Sequence, residues 1–209
     1  MRLDRGQSIH FSADTSATAD VRLAGLTAPA RTIAVANLDA RAYGFSTPIA
    51  GVIGADVLTG HVVDLQLYPC RLGFYERADT PPFPRGRTLA ILTVGGLPVV
   101  EASVTDNHLG GPGLFAIDTA SAASVRLSDR LAVAVPPLSD AADRAHAPAF
   151  LAALSFAGQV TQHAPAGLVT GLDPSLSGAL GNGVWAHWRM RLDLTVGQMT
   201  LVPVSGDGR

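Results

Sequence analysis

The sequence predicts an all-β protein, mostly strand with a few short helices, built as a sandwich or barrel and divided into two lobes. Short apolar or alternating segments recur along the chain and are separated by Gly and Pro, which is typical of such folds. The composition, 47% hydrophobic and 15% charged over 209 residues, is that of a globular protein with a sizeable core. Two segments of the chain also resemble each other, which indicates a duplicated lobe.

Several elements follow directly from the residue pattern. The segment 17–39 is apolar in short pieces broken by Gly25 and Pro29, so it predicts two strands and a turn. The segment 61–75 predicts a hairpin that turns near Tyr68-Pro69. Gly95-Gly96 between two apolar runs predicts another hairpin turn.

Other segments predict loops, a helix and a linker. The glycines and proline of 110–113, GGPG, favour a turn. The Ala-rich segment 139–154 favours a helix that is broken at Pro148. Three prolines and several charges in 76–88 indicate a linker. We therefore expect a partial first lobe at 1–75, a linker at 76–88 and a second lobe at 89–209.

The internal repeat relates residues 51–75 to residues 178–202 with a constant offset of 127 residues and no gap. Both copies have a Gly, two apolar residues, a second Gly, a short turn and then a hairpin. A shared order of turn and strand favours a duplication. The identical pairs are Gly51/Gly178, Gly54/Gly181, Val57/Val184, Leu65/Leu192 and Leu67/Leu194.

One short motif carries the chemistry. Asp118 follows the apolar run GLFAI and precedes TASAAS, and a carboxylate in such surroundings needs a partner or a function. The ordinary alternative is an Asp that stabilises a turn at the end of a strand. Ala179-Leu180-Gly181 follows about 60 residues later, and Val52-Ile53-Gly54 is its counterpart in the first copy.

These motifs resemble those of the pepsin-like and retropepsin-like aspartic proteases, and the first-copy tail resembles the bacterial aspartyl-protease-like proteins. The resemblance covers about 50–75 and 88–203. It implies two β-barrel lobes, each with an Asp-Thr/Ser-Gly loop and an apolar-apolar-Gly motif packed beneath that loop. It further implies that Asp118 is catalytic, that the Thr119 hydroxyl braces the loop, and that Gly54 and Gly181 pack under the two loops. Ala120 departs from the family's Gly, and its β-carbon is expected to crowd the loop.

The implied reaction needs a second carboxyl group. Two carboxyls held close together share one proton, so that one activates a water as a base while the other polarises the scissile carbonyl. The repeat offset places the counterpart of Asp118 upstream of Met1. The first catalytic loop is therefore expected to be missing from this chain. Asp14, in ADTSA, lies too close to Gly51 to match the spacing, and a turn Asp is the favoured interpretation for it.

Composition and spacing argue against other classes of function. A net charge of −2 does not favour nucleic acid or an anionic membrane as a partner. No apolar run is long enough to span a membrane, and no signal peptide is recognisable, so a soluble protein is expected and its compartment is left open. The histidines show no metal spacing, no cofactor is expected, and no serine-hydrolase motif occurs. The single Cys70 is expected to be buried and inert.

Two aromatic residues and three acids are the remaining candidates for a binding or catalytic role. Trp185 and Trp188, with His187 between them, either form a glycan-binding patch or pack in the core, and the repeat favours packing. Asp56, Asp64 and Asp193 lie at predicted strand ends or turns and are expected to be solvated.

The sequence thus supports an aspartic-type endopeptidase that acts on a peptide or protein substrate and is inactive unless the partner Asp is supplied. The alternatives are a non-catalytic, peptide-binding relative of the same fold, and an unrelated β-sandwich binding module that uses the two Trp residues. The oligomeric state stays open.

Overall fold

Strands make up most of the part of the chain that the computed structural model describes, residues 16–23, 25–34, 51–106, 109–132 and 149–204. The predicted all-β class is confirmed, and the helices are single short turns. None of the described helices is long and apolar enough to cross a membrane. The elements are β1 (Ser16–Leu23), β2 (Leu26–Ala34), α1 (Ala55–Leu58), β3 (Val62–Gln66), β4 (Arg71–Tyr75), a 3-10 turn (Arg77–Asp79), β5 (Arg87–Ala90), β6 (Leu92–Val94), β7 (Leu97–Asp106), β8 (Leu109–Ile117), β9 (Val125–Ser128), α2 (Asp129–Ala132), β10 (Ala149–Phe156), β11 (Gln159–Val169), β12 (Leu176–Leu180), α3 (Asn182–Trp185), β13 (Trp188–Asp193) and β14 (Gln198–Pro203).

The chain divides into two units, Met1–Val57 and Leu58–Arg209. In the first unit, β1 and β2 form the antiparallel hairpin that the sequence predicts, with its turn at Gly25. The register shifts between Ala19 and Val21, and the Asp20 carboxylate accepts a hydrogen bond of 3.0 Å from the Ala30 N–H across the hairpin. The side chain of Asp20 therefore stabilises the irregular part of this ladder.

In the second unit, a seven-stranded sheet closes on itself. Its order is β10-β11-β9-β12-β8-β7-β6, and β10 also pairs with β7, so that six of the strands form a ring. β12 lies between β8, to which it is parallel, and β9, to which it is antiparallel. This places the C-terminal end of β8 beside the C-terminal end of β12, where the candidate site lies.

The second sheet of this unit confirms the internal repeat. Its order is β4-β3-β13-β14-β5, all antiparallel. β3 pairs with β4 from Val62↔Tyr75 to Gln66↔Arg71, and β13 pairs with β14 in the same register at positions 127 residues later. The two hairpins also pair with each other, and Asp64 lies opposite Arg191, its own counterpart in the repeat. Sequence equivalence and strand register therefore agree.

The pair at the centre of this sheet is an ion pair, and it corrects the expectation for Asp64. The carboxylate is almost fully buried and accepts two hydrogen bonds from the Arg191 guanidinium, 2.6 Å from Nε and 2.8 Å from Nη2. Arg191 Nη1 donates to the Pro81 carbonyl, and the guanidinium carbon lies 4.4 Å from the centre of the Phe83 ring. Burial and a bidentate partner replace the solvation that the sequence suggested. Asp193 is likewise paired, with Arg77 at 2.6 Å.

Pro81, Phe83 and Arg77 lie in the segment 76–88, whose role as a linker between lobes stays a prediction. What the structure adds is that this segment contacts the five-stranded sheet through polar and cation–π contacts, and that its last two residues begin β5. Charged residues in a Pro-rich segment can therefore have fixed partners, which composition alone does not indicate.

One apolar core joins the closed sheet to the five-stranded sheet. Phe115, Val125 and Leu180 contribute to it from the closed sheet, and Met190 and Leu201 from the five-stranded sheet; all five are fully buried. A smaller cluster lies elsewhere in the closed sheet and comprises Val99, Ala116, Leu176 and Ala179. Both clusters include residues of β8 and β12, which fixes these two strands from both faces.

Two local predictions are wrong. The segment 110–113 is not a turn but part of β8, paired with β7 from Gly110↔Thr105 to Gly113↔Ala102. Residues 149–154, expected to continue an Ala-rich helix, belong to β10, which pairs with β11 and with β7. Tertiary pairing outweighs local propensity at both places.

Candidate active site

Asp118 is the first residue after β8, as the apolar run before it predicts. Its N–H donates a hydrogen bond of 2.9 Å to the Leu180 carbonyl at the end of β12. Its carboxylate Oδ1 accepts a hydrogen bond of 3.0 Å from the Ala120 N–H, two residues later. The carboxylate therefore closes its own turn through one oxygen, while Oδ2 makes no hydrogen bond to the described residues.

The loop that carries Asp118 rests on Gly181. The N–H groups of Gly181 and Asn182 donate to the carbonyls of Ser124 and Ser121, at 2.9 and 2.7 Å. A β-carbon built on Gly181 would overlap the Ala123 carbonyl oxygen and lie 2.9 Å from that of Ser121. Only glycine fits so close to another backbone, so Gly181 packs under the loop as expected.

The first-copy motif has different surroundings. Val52 and Ile53 are 56% and 39% exposed, whereas their counterparts Ala179 and Leu180 are buried. Within the described residues, a β-carbon built on Gly54 meets the Asp56 side chain and nothing else within 4 Å. The described residues thus hold no loop above Gly54 that corresponds to the one above Gly181.

The cation beside Asp118 is Arg126, on β9. Its Nη1 lies 3.6 Å from Asp118 Oδ2, and the two side chains are 28% and 24% exposed. Its Nε donates to the Leu168 carbonyl at 3.3 Å, which fixes the guanidinium plane from the other side. Asp118 and Arg126 therefore form a half-exposed pair of opposite charges, too far apart for a hydrogen bond between them.

The remaining predicted site residues have less defined surroundings. Thr119 is exposed, and its hydroxyl makes no hydrogen bond to the described residues, so its bracing role stays a prediction. Ala120 is exposed and is not among the residues with a positive φ, so its β-carbon causes no backbone strain. Asp14 lies outside the described residues.

The two Trp residues pack in the core and do not form an exposed patch. Trp185 is fully buried, donates from Nε1 to the Leu180 carbonyl at 2.7 Å and contacts Phe156 edge to face. Trp188 is also buried, although it contributes to the lining of a small cleft beside Thr161 and His187. Packing, the interpretation that the repeat favours, is the one the structure bears out. Trp185 also lies beneath the strand end that holds Asp118.

Cys70 corrects another expectation, because it is exposed in the turn between β3 and β4. Elsewhere in the described ranges, no three His, Cys, Asp or Glu side chains come together in a way that could hold a metal ion. Sequence reasoning missed Arg126 and Arg191. The repeat offset of 127 residues contained the signal for Arg191, but no pattern marked Arg126, which reaches Asp118 only through the pairing of β9 with β12.

A turn that leads into β12 contains an acid with a shifted pKa. Asp173 Oδ1 accepts hydrogen bonds from the Ser175 hydroxyl at 2.6 Å and from the Ser175 N–H at 2.9 Å. These bonds, the hydroxyl first, stabilise the charged form and hold the pKa of Asp173 below its ordinary value of 3.8. A lowered pKa stabilises the fold above the unfolded pKa, and this contribution is lost as the pH falls through the folded value.

We therefore expect Ser175→Ala to raise the pKa of Asp173 towards 3.8 without reaching it, because the backbone bond remains. An NMR titration of the carboxyl carbons measures this change. An unchanged Asp173 titration would contradict the role of the hydroxyl.

Comparison with solved structures finds a distant similarity. No family model matches the chain, and no curated protein matches it significantly. Among solved structures, the aspartic proteinase from Irpex lacteus is similar, with a TM-score of 0.47, 12% sequence identity, and coverage of 90% of this chain and 76% of that one. At this level the similarity assigns no function.

Proposed function

We propose that this chain is an aspartic-type endopeptidase in which the Asp118 carboxylate activates the attacking water. The observation that carries the proposal is the position of this carboxylate. It lies directly after β8 on a loop held by Gly181, its side chain is 24% exposed, and Oδ2 has no hydrogen bond among the described residues. A general base needs a free oxygen within reach of the substrate and a fixed position, and Asp118 has both.

Hydrogen bonds to neighbouring backbone groups hold the Asp118 loop in a fixed position. The loop bonds to the backbone of Gly181 and Asn182, and the Leu180 carbonyl at the end of β12 holds the Asp118 N–H and the Trp185 indole. A carboxylate held in this way loses little conformational freedom when substrate binds, which favours catalysis. An Asp that serves only to close a turn does not need this support.

The test is peptidase activity of the purified chain on a mixture of unstructured peptides between pH 3 and 8, with cleavage products identified by mass spectrometry. Asp118→Asn keeps the Oδ1 acceptor for the Ala120 N–H, so the turn should stay intact while the base is lost. We expect this variant to lose activity by about 10²–10⁴-fold. Asp173→Asn is the matched control, a turn Asp outside the proposed site that bonds the residue two positions on, and it should remain active. Full activity of Asp118→Asn would refute the proposal.

A second candidate is a non-catalytic protein that binds extended peptides. The observation that favours it is the neighbour of Asp118. Within 4 Å of the carboxylate the described residues place a guanidinium, whereas the shared-proton mechanism needs a second carboxyl. Saturable peptide binding by wild type and Asp118→Asn alike, without turnover by either, would establish this function instead.

A further inference from the structure

Arg126 has hydrogen-bond donors that the described residues do not use. A guanidinium carries five N–H donors, and the described residues accept one of them, Nε to the Leu168 carbonyl. Nη1 is 3.6 Å from Asp118 Oδ2, beyond hydrogen-bond distance, and the side chain is 28% exposed. Nη1 is therefore held beside Asp118, and the described residues leave the donors of both Nη groups unused.

The path of Arg126 across the sheet is lined by small residues. On β9 it lies opposite Gly167 of β11 on one side and Ala179 of β12 on the other. A β-carbon on Gly167 would lie 3.9 Å from Arg126 Cγ. Small neighbours leave room for the long side chain, and its Nη1 reaches Asp118 directly after β8.

We propose that Arg126 is a second catalytic residue, which polarises the scissile carbonyl in place of a protonated carboxyl. This inference rests on the peptidase function proposed for Asp118. Charge that develops on a carbonyl oxygen is stabilised by fixed donors aimed at it, and a guanidinium provides such donors without sharing a proton. The site then needs one carboxylate and one cation, and the described residues place both.

The distance between the two groups suits the reaction. Asp118 Oδ2 would bind the attacking water, and Arg126 Nη1 would bind the carbonyl oxygen of the substrate. These two protein atoms are 3.6 Å apart. The two ligands therefore lie side by side, and attack needs reacting atoms about 3–3.5 Å apart. Asp118 Oδ1, bonded to the Ala120 N–H, keeps the carboxylate from rotating away.

Hydrolysis of the peptide bond needs only the substrate, one water, Asp118 and Arg126. The water oxygen bonds to the carbonyl carbon as Asp118 Oδ2 takes a water proton, and the carbonyl π electrons move onto the oxygen held by Arg126. The C–N bond then breaks as the carbonyl re-forms, and the leaving nitrogen takes the proton back from Asp118. The products are a carboxylic acid and an amine, and Asp118 is again a carboxylate.

The experiment compares wild type, Asp118→Asn, Arg126→Gln and Arg126→Lys with the cleaved peptide identified in the peptidase assay. We expect Arg126→Gln to lower kcat by about 10²–10³-fold with KM little changed, as for the loss of an oxyanion donor. Arg126→Lys should recover part of the rate, because it restores the charge. Wild-type activity should persist at neutral pH, where two carboxyls sharing a site would both be ionised.

Arg126→Gln also removes the hydrogen bond from Arg126 Nε to the Leu168 carbonyl, and this loss could shift the Asp118 loop. A binding measurement separates such a shift from the loss of carbonyl polarisation. A phosphinic peptide analogue, whose anionic tetrahedral group mimics the intermediate, should bind wild type at least ten-fold more tightly than Arg126→Gln. Binding of the uncleaved peptide should differ less. An inactive Asp118→Asn beside a fully active Arg126→Gln would overturn the role of Arg126 and leave that of Asp118 standing. Absence of turnover by the wild type would overturn both.

Discussion

Asp64→Asn should lower the free energy of unfolding by about 3–5 kcal/mol, because it leaves the charge of Arg191 buried without a counter-ion. The side chains of Asp64 and Arg191 are 11% and 15% exposed, and two hydrogen bonds of 2.6 and 2.8 Å join them. The Pro81 carbonyl and the Phe83 ring hold the guanidinium in place, so it cannot easily swing into water. Urea unfolding measures the effect as a lower midpoint with an unchanged slope.

The chain contains a matched control for this prediction. Arg77 and Asp193 are also joined at 2.6 Å, but the Arg77 side chain is 55% exposed. Arg77→Ala should therefore cost less than about 1 kcal/mol. The double variant Asp64→Leu with Arg191→Met should recover much of the loss, because a buried ion pair is often no more stabilising than apolar residues of similar volume. Equal effects of Asp64→Asn and Arg77→Ala would contradict the importance of burial.

Gly181→Ala should destabilise the protein by about 3 kcal/mol, the upper part of the usual range for overpacking. The added β-carbon would overlap the Ala123 carbonyl oxygen and lie 2.9 Å from the Ser121 carbonyl oxygen. Both are backbone atoms that cannot rotate away. The N–H groups of Gly181 and Asn182 bond to the same loop, so moving the loop would also stretch these bonds. Unfolding by urea gives the magnitude, and faster hydrogen exchange at Asn182 locates it.

Gly51→Ala is the control, since a β-carbon there meets no described residue within 4 Å and the backbone needs no positive φ. This variant should stay within about 0.5 kcal/mol of the wild type. Gly181→Ala should also lose peptidase activity, because Asp118 lies on the displaced loop. A Gly181→Ala protein as stable as Gly51→Ala would show that the loop adapts.

The hairpins could be predicted because their signals are local. Short apolar segments on either side of Tyr68-Pro69, and the Gly95-Gly96 turn, determine pairing between neighbours in sequence. The glycines of 110–113 led to the wrong prediction of a turn, because their role depends on a neighbouring strand and not on the local sequence. A β-carbon on Gly110 would overlap the Val104 carbonyl of the neighbouring strand, so glycine is needed there for close strand approach within a sheet.

The candidate site was predictable in part for the same reason. Asp118 stands out in the sequence because an acid follows an apolar run, and Gly181 because it recurs in the repeat. Arg126 carries no such mark. Its distance to Asp118 depends on β12 pairing with both β8 and β9, and that arrangement is set by contacts between residues far apart in sequence.

The charge pair at the centre of the five-stranded sheet bears on the origin of the two-copy chain. β3 and β13 pair antiparallel about Asp64 and Arg191, the positions that are equivalent in the repeat. If two identical subunits had associated through this strand, symmetry would have set each of these residues against itself, acid against acid or cation against cation. Like charges in that position repel, so opposite charges could be fixed there only after both copies were encoded in one gene.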